Sequence, residues 1–131
     1  MNLPMISAAY AAVLGLLAAV LTVRVILNRV HFKVDTGDGG KPALAQAIRA
    51  HANFAEHAPF ALLLIALAES AGAQPGLVHG LGVALIVARL ASAIGLSRSL
   101  GPTAPRQAGA GLRVLIVTAT SLLILYRSFV A

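Results

Sequence analysis

The 131 residues are 59% hydrophobic and 11% charged, with a net charge of +6 and no cysteine. This composition points to one membrane-embedded domain, residues 1–131, and leaves too little chain for a spanning bundle plus a soluble catalytic module. Without cysteine there is no disulfide, thiolate metal site or protein-borne thiol nucleophile, and the 10 Lys and Arg lie scattered among apolar runs, which argues against a nucleic-acid partner.

A helix needs about 20 apolar residues to cross ~30 Å of hydrocarbon. In chain order, residues 6–27, 44–71, 77–96 and 109–130 meet that length. None alternates as a barrel strand does, so the predicted fold is an all-α membrane protein, a four-transmembrane-helix bundle. The first run has no positive residue before it and no small-residue cleavage site after it, and is expected to stay as a helix. The connection VHFKVDTGDGGKPA is rich in turn formers, ESAGAQPG is a tight break, and LSRSLGPTAPRQ is basic. Loops one and three carry Arg29, Lys33, Lys41, Arg98 and Arg106, whereas loop two and the termini offer only Arg127. By the positive-inside rule both termini face away from the cytoplasm. Tyr10 and Tyr126, near the opposite ends of their helices, read as interfacial belt residues.

The second run opens on RAHANFAEHAP, residues 49–59. At about 100° per residue, Arg49, Asn53 and Glu56 share one helix face with Phe60 beyond them, while His51 lies nearly opposite and His57 to one flank. Pro59 frees a backbone carbonyl and bends the helix. Other runs contribute Arg24, Arg89, and Arg106 with Arg113 at i and i+7. A charge at the bilayer centre costs about 2.5 to 3.5 kcal/mol on insertion scales, so these groups must meet each other or a wet cavity. Glu56 can neutralise one arginine. The spacing leaves two readings open: an ion-pair network of Arg49, Glu56 and Arg89, or a positive pocket for an anionic ligand. No metal site is expected, because His51 and His57 at i and i+6 do not share a face.

The order RAHxNxxExxP, made by Arg49, Ala50, His51, Asn53, Glu56 and Pro59, follows GDGG at 37–40 and precedes Arg89 and the Arg106 and Gly109 pair opening the fourth run. Together these resemble the membrane-associated proteins in eicosanoid and glutathione metabolism, the MAPEG family, and in particular its small bacterial members. The resemblance implies an inner-membrane homotrimer of four-helix subunits, with glutathione as co-substrate between neighbouring subunits toward the cytoplasm. It makes Arg49, Asn53 and Glu56 glutathione contacts, with Arg89, Arg24 and His51 completing the binding set. Arg106 would be catalytic, lying near the sulfur and favouring thiolate. Well-studied eukaryotic members have a histidine and a tyrosine where this chain has Ser92 and Leu96, and a tyrosine where it has Ala110. Those departures remove donors that would polarise a ligand.

The expected function is that of a membrane-bound glutathione transferase or peroxidase acting on lipophilic electrophiles or hydroperoxides drawn from the membrane lipid. Two other readings remain at this level. One is a non-catalytic glutathione- or lipid-binding membrane protein. The other is a small proton-coupled exporter using Glu56, against which the one-sided loop charge argues.

Overall fold

The structure is a computed structural model that describes residues 3–130. Four helices account for nearly all of it: α1, Met5–Phe32; α2, Pro42–Ser70; α3, Pro75–Arg98; and α4, Ala104–Val130. Pro42 and Pro75 open α2 and α3, where a missing N–H costs no intrahelical bond and the fixed φ suits the first turn.

α1, α3 and α4 are long and apolar enough to cross a membrane by length and composition. α2 is not among them, which departs from the expectation of four such spans. Its 29 residues give ample length, but Arg49, His51, Asn53, Glu56 and His57 fill its first half and confine the continuous apolar stretch to the part after Pro59. The chain is a helical membrane protein in which one helix carries a polar half.

The first connection is shaped by backbone that only glycine adopts freely. Lys33 closes α1 in the left-handed region, and Gly37, Gly39 and Gly40 all have positive φ. A Cβ on Gly39 would also sit 2.7 Å from a methyl of Val34. Arg29 fastens the turn by donating to the carbonyls of Val34, Asp35 and Gly37 at 3.3, 3.2 and 2.9 Å. The GDGG segment is therefore a backbone device that returns the chain into α2.

α2 and α3 occupy the centre, with α2 touching all three other helices and α1 and α4 flanking at opposite sides. Small residues make this possible: Ala47, Ala50, Ala58, Ala61 and Ala68 bury the inner face of α2 around Phe54 and Ile65. α3 and α4 approach closely at Gly109, where a Cβ would meet the Ala88 carbonyl at 2.6 Å and Ser92 Oγ. Large apolar side chains on the outer faces of α1 and α4, such as Leu16, Val20, Leu115 and Leu122, stay exposed.

The end of the bundle bearing both termini is tied by polar contacts. Glu69, at the end of α2, accepts from the backbone N–H groups of Ile6 and Ser7 at 2.9 and 2.7 Å and from the Ser7 hydroxyl at 2.6 Å. It caps a helix that has no side-chain cap of its own. Arg127 donates to the Ala71 carbonyl at 2.9 Å, joining α4 to the end of α2. Tyr10 has a second role: its ring lies against Gly82 and its hydroxyl is 3.0 Å from His79 Nδ1, so it fastens α1 to α3. Glycine at position 82 is what lets an aromatic ring enter there.

Candidate functional site

The polar half of α2 faces inward and sideways at the end of the bundle that carries loops one and three. Two turns of helix separate Arg49 from Glu56, and the side chains close that gap: Arg49 Nη1 donates to Glu56 Oε1 at 3.0 Å and Nη2 to Oε2 at 3.4 Å. The pair is 43% and 46% exposed, so it is open to a ligand. His57 Nε2 lies 3.8 Å from Glu56 Oε2.

Arg89 is different in kind. At 1% exposure it is the largest fully buried side chain among the described residues, where Nη1 reaches only Asn53 Oδ1, at 3.4 Å. Among the described residues, Nε and Nη2 are buried with no hydrogen-bond partner. A guanidinium has five N–H donors and no acceptor, so most of its capacity is unmet in a setting where each unmet donor is costly. The ion-pair network of Arg49, Glu56 and Arg89 that the spacing allowed is therefore split in two. Glu56 answers Arg49, and Asn53 alone answers Arg89.

Glu56 and His57 also line a groove of 300 Å³ between α2 and α4, together with Phe60, Arg113, Val114, Val117 and Thr118. The sequence shows Arg113 only as the i+7 partner of Arg106 and His57 only as a flank of the stripe; the packing of α4 on α2 brings Arg113 to the groove beside Glu56 and His57. Ser92 and Leu96 are buried, with Ser92 at the Gly109 contact, so neither presents a donor to that groove.

Two residues expected at the site, Arg24 and Arg106, make contacts elsewhere. Arg24 donates to Ser97 Oγ and links α1 to α3. Arg106 donates through Nη1 to the carbonyls of Leu100 and Gly101 at 2.7 and 3.1 Å, and lines a separate recess with Leu100, Pro102, Gln107 and Ala110. His51 does not line the α2/α4 groove. Arg106 satisfies itself locally on the carbonyls of the connection before α4, whereas Arg24 is taken up by a hydroxyl on the facing helix.

A bundle of long apolar helices around a buried arginine and an exposed arginine–glutamate pair defines a helical membrane protein with a polar centre. The profile of the MAPEG family matches residues 7–126, and the chain belongs to that family. Among curated proteins it is similar to the inner membrane protein YecN of Escherichia coli strain K12, 38% identical over 86 residues that cover 66% of each chain. YecN of Escherichia coli O6:H1 gives the same figures. The match thus spans 66% of the length of these relatives.

Proposed function

We propose that this protein is a glutathione-binding protein of the bacterial inner membrane that conjugates glutathione to lipophilic electrophiles or uses it to reduce hydroperoxides. The observation that carries the reading is Arg89, buried beside Asn53 with two donors unmet, in a family whose name rests on glutathione metabolism. Glutathione brings two carboxylates, an ammonium and a thiol. Carboxylate oxygens suit the guanidinium groups of Arg49 and Arg89, and Glu56 suits the ammonium or holds Arg49 in register.

In the assembled protein all four helices span the bilayer, with α2 sheltered from lipid by neighbouring subunits of a homotrimer and both termini outside the cytoplasm. The charge of loops one and three and the inner-membrane relative support this placement. Arg24 and His51 contribute to glutathione binding from the adjoining surfaces. Arg106, at the mouth of its recess, stabilises the thiolate. That thiolate displaces a leaving group such as chloride from the electrophilic carbon of an acceptor, or attacks the distal oxygen of a hydroperoxide, breaking the O–O bond; the alkoxide leaves and takes up a proton, and a second glutathione converts the resulting sulfenic acid to the disulfide with loss of water. No protein nucleophile is required.

The buried positions of Ser92 and Leu96 favour one second reading, a glutathione binder without turnover. Thiol chemistry separates the two. The proposal expects conjugation of a chloronitrobenzene in detergent by the wild type, and a lower thiol pKa for bound glutathione than for free glutathione. Arg106→Ala should raise that pKa, so that its rate falls mainly at neutral pH and recovers in part as pH rises. Superimposable thiolate titrations of wild type and Arg106→Ala would remove Arg106 from the chemistry, and glutathione affinity without any conjugate would select the binder.

A further inference from the structure

Among the described residues, the buried side-chain polar atoms with no hydrogen-bond partner are Arg89 Nε, Arg89 Nη2 and Thr103 Oγ1. All three stand along the seam where α3 meets the start of α4. Thr103 Oγ1 lies over Gly95, 2.6 Å from where a Cβ on that glycine would be, and the backbone N and Cβ of Arg106 follow at 2.8 Å. Farther along α4, Gly109 closes on Ala88 and Ser92, which flank Arg89 one position before it and three after. Asn53 of α2 reaches Arg89 from the other side. The guanidinium is sealed at the junction of three helices, and no ligand outside the bundle touches Nε or Nη2 while the junction is closed.

A closed seam that leaves buried donors unmet is costly, and opening it relieves that cost. Little packing opposes the opening. The buried residues of α4 are Gly109, Ile116 and Thr120, and the last two lie beyond the seam toward the terminus-bearing end. With glycine at 95 and 109, no side chain from those positions interlocks across the contact. The first two turns of α4 can therefore lift from α3 while Ile116 stays packed in the core.

We propose that the α3/α4 seam is a gate to Arg89: residues 104–111 part from α3, and a ligand carboxylate then binds side-on across Nε and Nη2. Those two atoms carry the parallel N–H groups of one edge of the guanidinium, the geometry that a carboxylate matches with both oxygens. Asn53 meanwhile keeps Nη1 and holds the fork in place. The gate deepens the glutathione reading and rests on it for the identity of the ligand, whereas the opening belongs to the chain alone.

The chain has no cysteine, so one introduced thiol reports the seam without background. Ser92→Cys, at the seam, and Ala61→Cys, on the inner face of α2, replace residues that are 5% and 0% exposed. In the detergent-purified full-length protein without ligand, N-ethylmaleimide should label Ser92→Cys at least about tenfold faster than Ala61→Cys. A Cβ at position 109 would lie 2.5 Å from Ser92 Oγ, within disulfide reach, so oxidation of the double variant Ser92→Cys, Gly109→Cys locks the seam. S-methylglutathione, which keeps both carboxylates and has no free thiol, should bind the oxidised protein at least about tenfold more weakly than the wild type, and a phosphine reductant should restore the affinity. Should the double variant fail to fold, Gly109→Ala, whose Cβ wedges against Ala88 and Ser92, should raise the labelling rate of Ser92→Cys at least about threefold. Equal labelling of the two thiols, undiminished binding to the oxidised protein, or an unaltered rate in Gly109→Ala would overturn the gate. A wild type that binds no S-methylglutathione while Ser92→Cys still labels fast would overturn the glutathione reading and leave the opening standing.

Discussion

Arg49 and Arg89 bear the same charge on neighbouring helices, yet burial gives them opposite consequences. The Arg49–Glu56 pair is more than two-fifths exposed, and solvent screening leaves such a pair little net effect on stability. Arg49→Ala should therefore leave the melting temperature nearly unchanged. Arg89 is fully buried and largely unpartnered, so an apolar residue of similar length removes a desolvated charge from the core. Arg89→Met is expected to stabilise the free protein, by on the order of 1 kcal/mol or more, while weakening glutathione binding. Thermal unfolding in detergent beside a binding isotherm checks both signs, and a destabilised Arg89→Met would mean that Asn53 satisfies the guanidinium better than its 3.4 Å contact suggests. At this scale the sequence showed what a single helix dictates. The i, i+7 meeting of Arg49 and Glu56 follows from helical geometry alone. The choice of Asn53 over Glu56 as the partner of Arg89, and the turn of Arg106 toward loop carbonyls, depend on how α3 and α4 pack, which no local spacing encodes.

The helices themselves were legible because long apolar runs broken by proline and glycine leave the backbone few alternatives in lipid. Their lengths exceed the apolar runs, since α1 reaches Phe32 and α4 begins at Ala104, and polar helix ends carry no hydropathy signal. The clasp at the terminus-bearing end was also hidden, because a glutamate closing α2 reads as a helix end rather than as the cap of α1. Glu69→Gln keeps the shape but removes the charge-assisted character of three hydrogen bonds. It should cost about 1–2 kcal/mol, and Glu69→Ala more, read as lower unfolding temperatures and faster amide exchange in the first turn of α1. The same logic holds where α3 and α4 touch. Gly109→Val places methyls into the Ala88 carbonyl and Ser92, and overpacking of this kind costs about 1–3 kcal/mol. An unaltered melting temperature for Gly109→Val would show that α4 can shift outward freely at that contact.

For the molecule as a whole, the distribution of charge and apolar surface sets orientation and assembly. Five basic residues in loops one and three against Arg127 alone in loop two and the termini should place reporter fusions at both termini outside the cytoplasm, and cross-linking in membranes should trap trimers. A cytoplasmic C-terminus, or a dimer as the largest cross-linked species, would contradict the proposed assembly. α2 bears on the same point, since a helix too polar in its first half to face lipid needs protein around it. That polar half is where glutathione is proposed to bind. Isothermal titration of glutathione into the purified wild type and Arg49→Ala in detergent measures this most directly. The account predicts saturable binding to the wild type and an affinity at least about tenfold weaker in Arg49→Ala, the effect of losing one charged carboxylate partner. No binding to the wild type, or equal affinities in the two proteins, would contradict it.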